Sequence, residues 1–292
     1  YKMVGRTPGN IEAIRPLKDG VIADFDVTET MLRHFINKIK VRGFMSKPRM
    51  LICCPTNITK VEQKAIKEAA LKSGGRKVYL EEEPKVAAVG AGMDIAQPSG
   101  NMVIDIGGGT TDVAVLSMGD IVTAESIKLA GDTFTQDILK FIKNEYKLLI
   151  GERTAEAIKI EIGSAQDTGE NRSMDIRGRN LLNGLPETIA IDEAEIATAL
   201  KENIEKIIHA VKTTLEKTPP ELSADVMNRG IVLTGGGAML KNIDKVISEE
   251  TNIPVFIADE PLESVAIGTG KSLDYIQHFR ENPNVATRIT LD

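Results

Sequence analysis

The chain has 292 residues, of which 42% are hydrophobic and 27% are charged, and its formal net charge is −6. This composition is typical of a soluble globular protein with a sizeable core, and the length favours two domains over one. The negative charge argues against a general nucleic-acid binder, which normally presents a basic surface. No apolar run in the sequence approaches the roughly 18 residues that a membrane-spanning helix needs, and the first residues do not resemble a signal peptide.

The first half of the chain alternates helix and strand signals, which indicates an α/β fold. A helix is predicted after Asp26, with apolar residues at helical spacing, and a buried strand follows that ends at Cys54. Thr59 and Glu62 have the spacing of a capping box and predict the start of a second helix. A short strand is predicted from 77 to 80.

The strand that ends at Cys54 contains both cysteines of the chain, Cys53 and Cys54. Neighbouring residues in a strand point to opposite faces, so a disulfide between these two is not expected. Their spacing is not that of a zinc site. They are interpreted as core thiols in a reducing cytoplasm.

The alternation continues through the second half of the chain. The predicted elements are two strands at 102–106 and 112–118, a helix at 154–163, a polar surface loop at 166–173, a long helix that begins at Asp192 and is capped with Glu195, strands at 230–234 and 255–258, and a last helix with Leu273, Ile276 and Phe279 on one face. The long helix is predicted to end at the two prolines 219 and 220.

The sharpest motif is the glycine turn between the strands at 102–106 and 112–118. Three consecutive glycines at 107–109 let the backbone approach an oxyanion and direct several N–H groups at it. Thr110 and Thr111 add hydroxyl groups, and Asp105 stands where a carboxylate can hold a water of a bound divalent cation. A simple hairpin needs only one or two glycines, so the pattern favours a phosphate site.

A second glycine turn, at 235–237, follows the strand at 230–234 and precedes a helical pattern that begins with Ala238 and Met239. Helix N-termini attract anions, and glycines let flat groups lie against the backbone. The turn lacks the Lys-Ser or Lys-Thr of a P-loop, and by itself it is also compatible with a Rossmann-type turn.

Two further features are ambiguous when considered alone. Three glutamates at 81–83 end a predicted strand, where a carboxylate such as Glu83 can orient a water, but a solvated acidic turn explains them equally well. Glu156 and Lys159 are three residues apart on a predicted helix and share a face. In isolation, a surface ion pair is the simpler explanation for them.

Together these segments resemble the ATPase superfamily of actin, sugar kinases and heat-shock chaperones. Within it the chain resembles the MreB group of bacterial actins over its whole length, and most of all the Mbl subfamily. The segments that carry the resemblance are residues 4–10, 18–24, 105–112, 150–156, 218–222 and 266–270.

The resemblance implies an actin-like α/β ATPase fold in which two ribonuclease-H-like domains face each other across a cleft for ATP and Mg²⁺. Domain I would comprise 1–92 and 263–292. Domain II would comprise 93–262, with a subdomain at about 128–190.

The resemblance also implies roles for individual residues. Asp105 would hold hydrated magnesium, Glu83 would position the attacking water, and Thr111 would assist near the γ-phosphate. The nucleotide contacts would be Gly107, Gly108, Gly109 and Thr110 at the phosphates, Glu156, Ala157, Ile158 and Lys159 at the ribose and adenine, and Gly235, Gly236, Gly237, Ala238 and Met239 as the wall on the adenosine side.

The family has a further phosphate hairpin near its N-terminus, an Asp-x-Gly-Thr segment that does not occur within the 292 residues. We therefore expect weak or absent ATP hydrolysis by this chain alone, and full activity in the native full-length protein.

Phe44 and Met45 lie between cationic residues where MreB-like proteins have a hydrophobic membrane loop. Each side chain would contribute roughly 1.5–3 kcal/mol on insertion, so filaments would bind the inner membrane surface through many copies. The alternative is that both residues cover the core.

The resemblance implies a cytoplasmic, membrane-associated cytoskeletal ATPase whose partners are further copies of itself and cell-wall elongation proteins. Three other functions stay open at this point. The first is a small-molecule kinase on the same fold, for which the sequence shows no dedicated substrate insertion. The second is a filament scaffold without useful hydrolysis. The third is a chaperone-type ATPase, which is least favoured because no peptide-binding domain follows the last predicted helix.

Overall fold

The computed structural model describes residues 3, 6–9, 11–39, 48–170 and 172–278, with side chains as far as residue 273. In chain order the elements are β1 (Leu17–Lys18), β2 (Val21–Ile22), α1 (Phe25–Lys38), β3 (Arg49–Cys54), α2 (Lys60–Lys72), β4 (Lys77–Glu82), α3 (Glu83–Gly90), β5 (Asn101–Ile106), β6 (Thr111–Ser117), β7 (Asp120–Ile127), α4 (Gly131–Tyr146), β8 (Leu148–Leu149), α5 (Glu152–Ile162), β9 (Ser173–Asn180), β10 (Pro186–Asp192), α6 (Glu193–Lys217), α7 (Pro220–Arg229), β11 (Ile231–Thr234), a 3-10 turn (Gly236–Met239), α8 (Ile243–Thr251), β12 (Val255–Ile257) and α9 (Ser264–His278). Phe44, Met45 and Phe279 lie outside the described residues.

The largest sheet has five strands in the order β12-β11-β5-β6-β7. The first three run parallel to one another, whereas β5, β6 and β7 form an antiparallel meander. Beside it are the parallel pair β3-β4, the small sheet β10-β9-β8 and the hairpin β1-β2. The predicted α/β class is confirmed.

Both predicted capping boxes are present. The Thr59 hydroxyl accepts from the Glu62 N–H at 3.2 Å, and the Glu62 carboxylate accepts in return from the Thr59 N–H. Asp192 and Glu195 make the same reciprocal pair at the start of α6. A new helix, α7, begins directly at Pro220, because proline is well tolerated in the first turn of a helix.

The main core lies between the large sheet and helices α4, α5 and α6. Its fully buried side chains include Phe134, Ile138 and Ile142, which stand four residues apart on α4. Cys53 and Cys54 are free thiols, as predicted. Burial raises the pKa of the Cys53 thiol to about 11 and that of Cys54 to about 12, so neither thiol is activated.

Helices α3 and α9 cross with their backbones in contact. A Cβ built at Gly90 would lie 1.8 Å from the Ser264 carbonyl oxygen, and one built at Gly268 would lie 1.7 Å from the Val86 carbonyl oxygen. Only glycine allows so close an approach. The crossing therefore joins the segment after Glu83 to the last described helix. Among the described residues, no helix is long and apolar enough to cross a membrane.

Candidate functional site

A row of polar side chains crosses four strands of the large sheet at one register. Thr234 on β11 pairs with Asp105 on β5, Asp105 with Asp112 on β6, and Asp112 with Ser126 on β7. Residues directly opposite each other on neighbouring strands have adjacent side chains. The row therefore brings two carboxylates together at the ends of β5 and the beginning of β6, beside the first glycine turn.

Asp105 is almost completely buried, with 5% of its surface exposed. Its carboxylate accepts a hydrogen bond from the Thr234 hydroxyl at 2.9 Å. Burial raises the pKa of Asp105 to about 6, the Thr234 hydrogen bond opposes that rise, and the nearby charge of Asp112 adds to it.

Asp112 is held by the loop that follows β3. Its carboxylate accepts from both the N–H and the hydroxyl of Thr56, each at 3.1 Å. Burial raises the pKa of Asp112, and the two hydrogen bonds from Thr56 limit the rise. The sequence analysis did not single out Thr56 or Thr234, since both contacts join residues far apart in the chain.

Glu83 is the third carboxylate of this group and lies in the first turn of α3. Burial and, after it, the charges of Asp112 and Asp105 together raise the pKa of Glu83 to about 8. The side chain that the sequence left ambiguous is therefore only partly exposed, and it lies close enough to the two aspartates to be affected by their charges. A carboxyl group with a pKa near neutrality suits proton transfer to or from water.

A divalent cation favours oxygen ligands, and its charge would offset the repulsion between the neighbouring carboxylates of Asp105 and Asp112. Among the described residues, no group of three acidic, histidine or cysteine side chains encloses a metal ion by itself. Magnesium retains several waters and takes other ligands from phosphates, so one or two carboxylates suffice. Asp105 fits such a role at the outer coordination shell.

We expect the protein without nucleotide or cation to lose stability as the pH rises from about 5 to 8, since protons are then bound more tightly to folded Asp105 and Glu83 than to the unfolded chain. A carboxyl group whose pKa is raised on folding does not lower the free energy of unfolding at a pH below its pKa in the unfolded chain. It lowers that free energy by the full amount at a pH above its pKa in the folded protein. Urea unfolding of the full-length protein across that range would measure the loss. Glu83→Gln should remove part of this loss of stability with rising pH, and Mg²⁺ with a nucleotide should make the loss smaller. A gain in stability with rising pH would contradict the assignment.

The first glycine turn is bonded to the N-terminus of α4. The Gly107 N–H closes the turn onto the Thr110 carbonyl at 2.9 Å. Gly131 donates its N–H to the Gly107 carbonyl at 3.1 Å, and Asp132 donates to the Gly108 carbonyl at 2.7 Å. The carbonyl groups of Gly107 and Gly108 are thus bonded to the first residues of α4. This arrangement leaves N–H groups of the turn for an anion.

Thr111 differs from its expected role near a γ-phosphate. Its side chain is fully buried, and its hydroxyl donates to the Leu129 carbonyl at 2.6 Å. That proton is consequently not available to a phosphate. Strand alternation explains the placement, because Thr111 and its neighbour Asp112 face opposite sides of β6.

The second glycine turn packs directly on the first. Gly235 has φ +81°, and a Cβ there would lie 2.3 Å from the Ile106 carbonyl oxygen and 2.7 Å from the Asp105 carboxylate. A Cβ at Gly237 would lie 2.2 Å from the Ile106 side chain. The predicted helix begins as a 3-10 turn in which Ala238 is buried, whereas Met239 is 65% exposed. Side chains at the two glycines would force the two turns apart.

Glu156 and Lys159 form an ion pair at 2.8 Å that is tied to the first glycine turn. The Lys159 ammonium also donates to the Gly131 carbonyl at 2.8 Å, and the Glu156 carboxylate accepts from the Thr135 hydroxyl at 2.6 Å. Gly131 in turn is bonded to Gly107. The pair is therefore part of a network and not an isolated surface contact.

Between these two residues, the side chain of Ile158 is fully buried in the main core. A nucleotide contact at Ile158 would therefore use its backbone, and it stays a prediction. The helical period places the side chain on the opposite face from the ion pair, whereas Ala157 is half-buried.

Residues 1–281 match the family described as MreB/Mbl protein. The chain is 65% identical over 273 residues to the cell shape-determining protein Mbl of Bacillus subtilis (strain 168), which covers 94% of this chain and 82% of that protein.

Among solved structures, the fold is similar to MreB 5 of Spiroplasma citri bound to AMPPNP, with a TM-score of 0.92, 43% identity, and coverage of 97% of this chain and 85% of that one. The same protein bound to ADP gives a TM-score of 0.91. The MamK double helical filament gives 0.74 at 20% identity, covers 89% of this chain and 80% of that one, and supports the fold alone.

Proposed function

The chain belongs to the MreB/Mbl family and has the actin-like ATPase fold, and from this premise we propose that it is an ATP-dependent, filament-forming bacterial actin homologue that organises cell-wall elongation and maintains rod shape. The observation that carries the proposal is the direct packing of two glycine turns, with the buried carboxylate of Asp105 between them. Such an arrangement suits phosphates on one turn and the adenosine side on the other.

We propose that the phosphates bind the first turn, through the backbone of residues 107–109 and through Thr110. Glu83 would accept a hydrogen bond from the attacking water and draw its proton away. Thr111 would act by fixing the turn to Leu129, since its hydroxyl is already donated there. Bound Mg²⁺ would neutralise charge on the phosphates, and Asp105 would hold it through water.

The adenosine side of the proposed site combines two elements. Gly235, Gly236 and Gly237 give a flat backbone surface next to the exposed side chain of Met239. Glu156 and Lys159 approach from α5 and supply an acceptor and a donor for ribose or base atoms. The second glycine turn packs on Ile106, and Lys159 is linked to the first turn through Gly131. The proposed site is therefore lined continuously by these elements.

The proposed domain boundaries remain those of the family, with 1–92 and 263–292 in domain I and 93–262 in domain II. The crossing of α3 and α9 supports the return of the last helix to domain I. The sheet β10-β9-β8 falls within or next to the proposed subdomain at about 128–190.

Self-association into filaments, attachment to the inner membrane surface through Phe44 and Met45, and contact with cell-wall elongation proteins in the cytoplasm are parts of the same proposal. Membership of the MreB/Mbl family supports them. No described residue by itself identifies a membrane or wall partner.

ATP turnover per molecule of the full-length protein should rise with protein concentration, because hydrolysis is coupled to polymerisation. Phosphate release and sedimentation are measured together over a concentration series, with Asp105→Asn as the variant that should lose magnesium-dependent turnover. Turnover that is independent of protein concentration but rises with an added small acceptor would favour a kinase instead. Filaments of unchanged lifetime without hydrolysis would favour a passive scaffold.

A further inference from the structure

The two elements proposed for the adenosine side are joined to each other by hydrogen bonds. Helix α5, which carries Glu156 and Lys159, ends shortly before Ser164, and the second glycine turn is soon followed by Lys241. Ser164 and Lys241 form an isolated parallel β-bridge. The Ala165 N–H donates to the Lys241 carbonyl at 2.8 Å. The C-terminal end of α5 is therefore held against the segment that follows the second glycine turn.

Side chains reinforce this junction. The Asn242 amide donates to the Ser164 hydroxyl at 2.9 Å, and both residues are buried. The chain leaves α5 at Gly163, whose N–H donates to the Lys159 carbonyl at 3.1 Å. A Cβ built at Gly163 would lie only 2.2 Å from that same oxygen, so the turn is too tight for a side chain. Because the turn is tight, a movement of Lys159 is passed on to Ser164.

A buried carboxylate fastens the same junction to α6. Glu193 is the first residue of α6, and only 2% of its side chain is exposed. Its carboxylate accepts from the Arg172 guanidinium at 2.6 Å and from the Thr168 hydroxyl at 3.0 Å, and it lies 3.9 Å from the Lys241 ammonium. A buried charge that loses its partner is costly, so these contacts depend on one another. Thr168, Arg172, Glu193 and Lys241 are here called the latch.

The latch is well bonded at its centre but not completely. The Glu193 N–H donates to the Arg172 carbonyl at 2.9 Å, and Arg172 Nη1 donates to the Glu161 carbonyl at 3.0 Å. Lys241 also pairs with Glu170. Arg172 Nη2, in contrast, is buried and has no hydrogen-bond partner among the described residues. A buried donor without an acceptor lowers the stability of the closed arrangement, so the latch is able to open.

We propose that the latch controls the rate at which a bound nucleotide leaves the site, with Glu193 as the positioning residue. This inference rests on the nucleotide binding proposed above. While the latch is closed, α5 and the second glycine turn stay together around the adenosine. When the latch opens, the hydrogen bond between Asn242 and Ser164 loses its support. Glu156 and Lys159 then move away from the second glycine turn, and the adenosine is released.

The test follows radiolabelled ADP as it leaves the full-length protein after excess unlabelled ATP is added. Glu193→Gln keeps the size of the side chain but removes the charge that holds Arg172 and Lys241. Its ADP should leave faster by about fivefold or more, whereas the association rate should change little. The matched control is Glu250→Gln, which breaks the 2.7 Å ion pair with Lys212 that also joins α6 to α8. This control should keep the wild-type release rate.

Hydrogen exchange of the unmodified protein tests the latch without any variant. A latch that retains the nucleotide is, by linkage, held closed by the nucleotide. The amides of Ala165 and Glu193, which donate across the junction, should exchange more slowly with ADP than without it, whereas the Asn252 amide at the end of α8 should not change. Equal exchange at Ala165 and Glu193, or wild-type release by Glu193→Gln, would overturn the role of the latch and leave nucleotide binding in place. Failure of the wild type to bind ADP would instead overturn the proposed function.

Discussion

Replacing Glu83 by glutamine should lower the rate of ATP hydrolysis by about a hundredfold or more, while nucleotide affinity changes little. Glutamine preserves the size of the side chain but cannot take up a proton from water. The rate is measured as phosphate release from the polymerised full-length protein. Filaments of Glu83→Gln should also persist longer, because hydrolysis no longer weakens them.

The pH dependence gives an independent check of the same residue. The pKa of Glu83 is raised to about 8 by burial and by the charges of two aspartates, and only the ionised form accepts a proton. The wild-type rate should therefore increase with pH as Glu83 ionises, with a midpoint below about 8 because bound Mg²⁺ favours the ionised carboxylate, and that increase should be absent in the glutamine variant.

The matched control is Glu82→Gln, a half-buried neighbour whose strongest charge interaction is with Glu81 and not with Asp105. It should keep both the rate and the pH profile. If Glu83→Gln hydrolysed ATP at the wild-type rate, another group would have to position the water.

Replacing Gly268 by alanine should destabilise the protein by about 2–3 kcal/mol, because the crossing of α3 and α9 has no room for a methyl group. The new Cβ would lie 1.7 Å from the Val86 carbonyl oxygen, and both partners are backbone that cannot rotate away. The helices would have to separate, with the loss of packing along α3. Urea unfolding measures the change in the free energy of unfolding.

Gly270→Ala is the control on the same helix. Gly270 is exposed and has nothing within 4 Å of its Cβ position, so alanine should stabilise the helix by about 0.5–1 kcal/mol through propensity alone. If the two variants changed stability in the same direction, the close crossing would not be responsible. Because Glu83 begins α3, Gly268→Ala should also impair hydrolysis, whereas Gly270→Ala should not.

The local parts of the fold could be predicted because short-range chemistry decides them. The glycine turn at 107–109 stands between strands that pair as the pattern indicates, with Asp105 opposite Asp112. The two capping boxes could also be predicted, because the two residues of each box lie only three positions apart in the sequence. Helix α4 has an apolar stripe, but no side chain caps its N-terminus at Gly131. Because the sequence has no capping signal there, this helix was not predicted.

Most of the site itself depends on contacts between distant residues. The bond from Thr56 to Asp112 and the ion pair between Arg15 and Glu152 join segments that only the folded topology brings together. The raised pKa of Glu83 follows from its partial burial beside Asp105 and Asp112, which a single sequence does not reveal. The core position of the Ile158 side chain follows from the helical period, which turns it away from Glu156 and Lys159.

The contact between the two glycine turns also limits how resistance to an inhibitor of this site could arise. A compound that lies against Gly235 and Gly237 contacts two glycines that no larger residue can replace, because a Cβ at either position would collide with Ile106. Escape by mutation is then confined to the rim, where the Met239 side chain is exposed. Compounds that avoid Met239 and rely on the two turns should accordingly select resistant variants less readily than compounds that pack on that side chain.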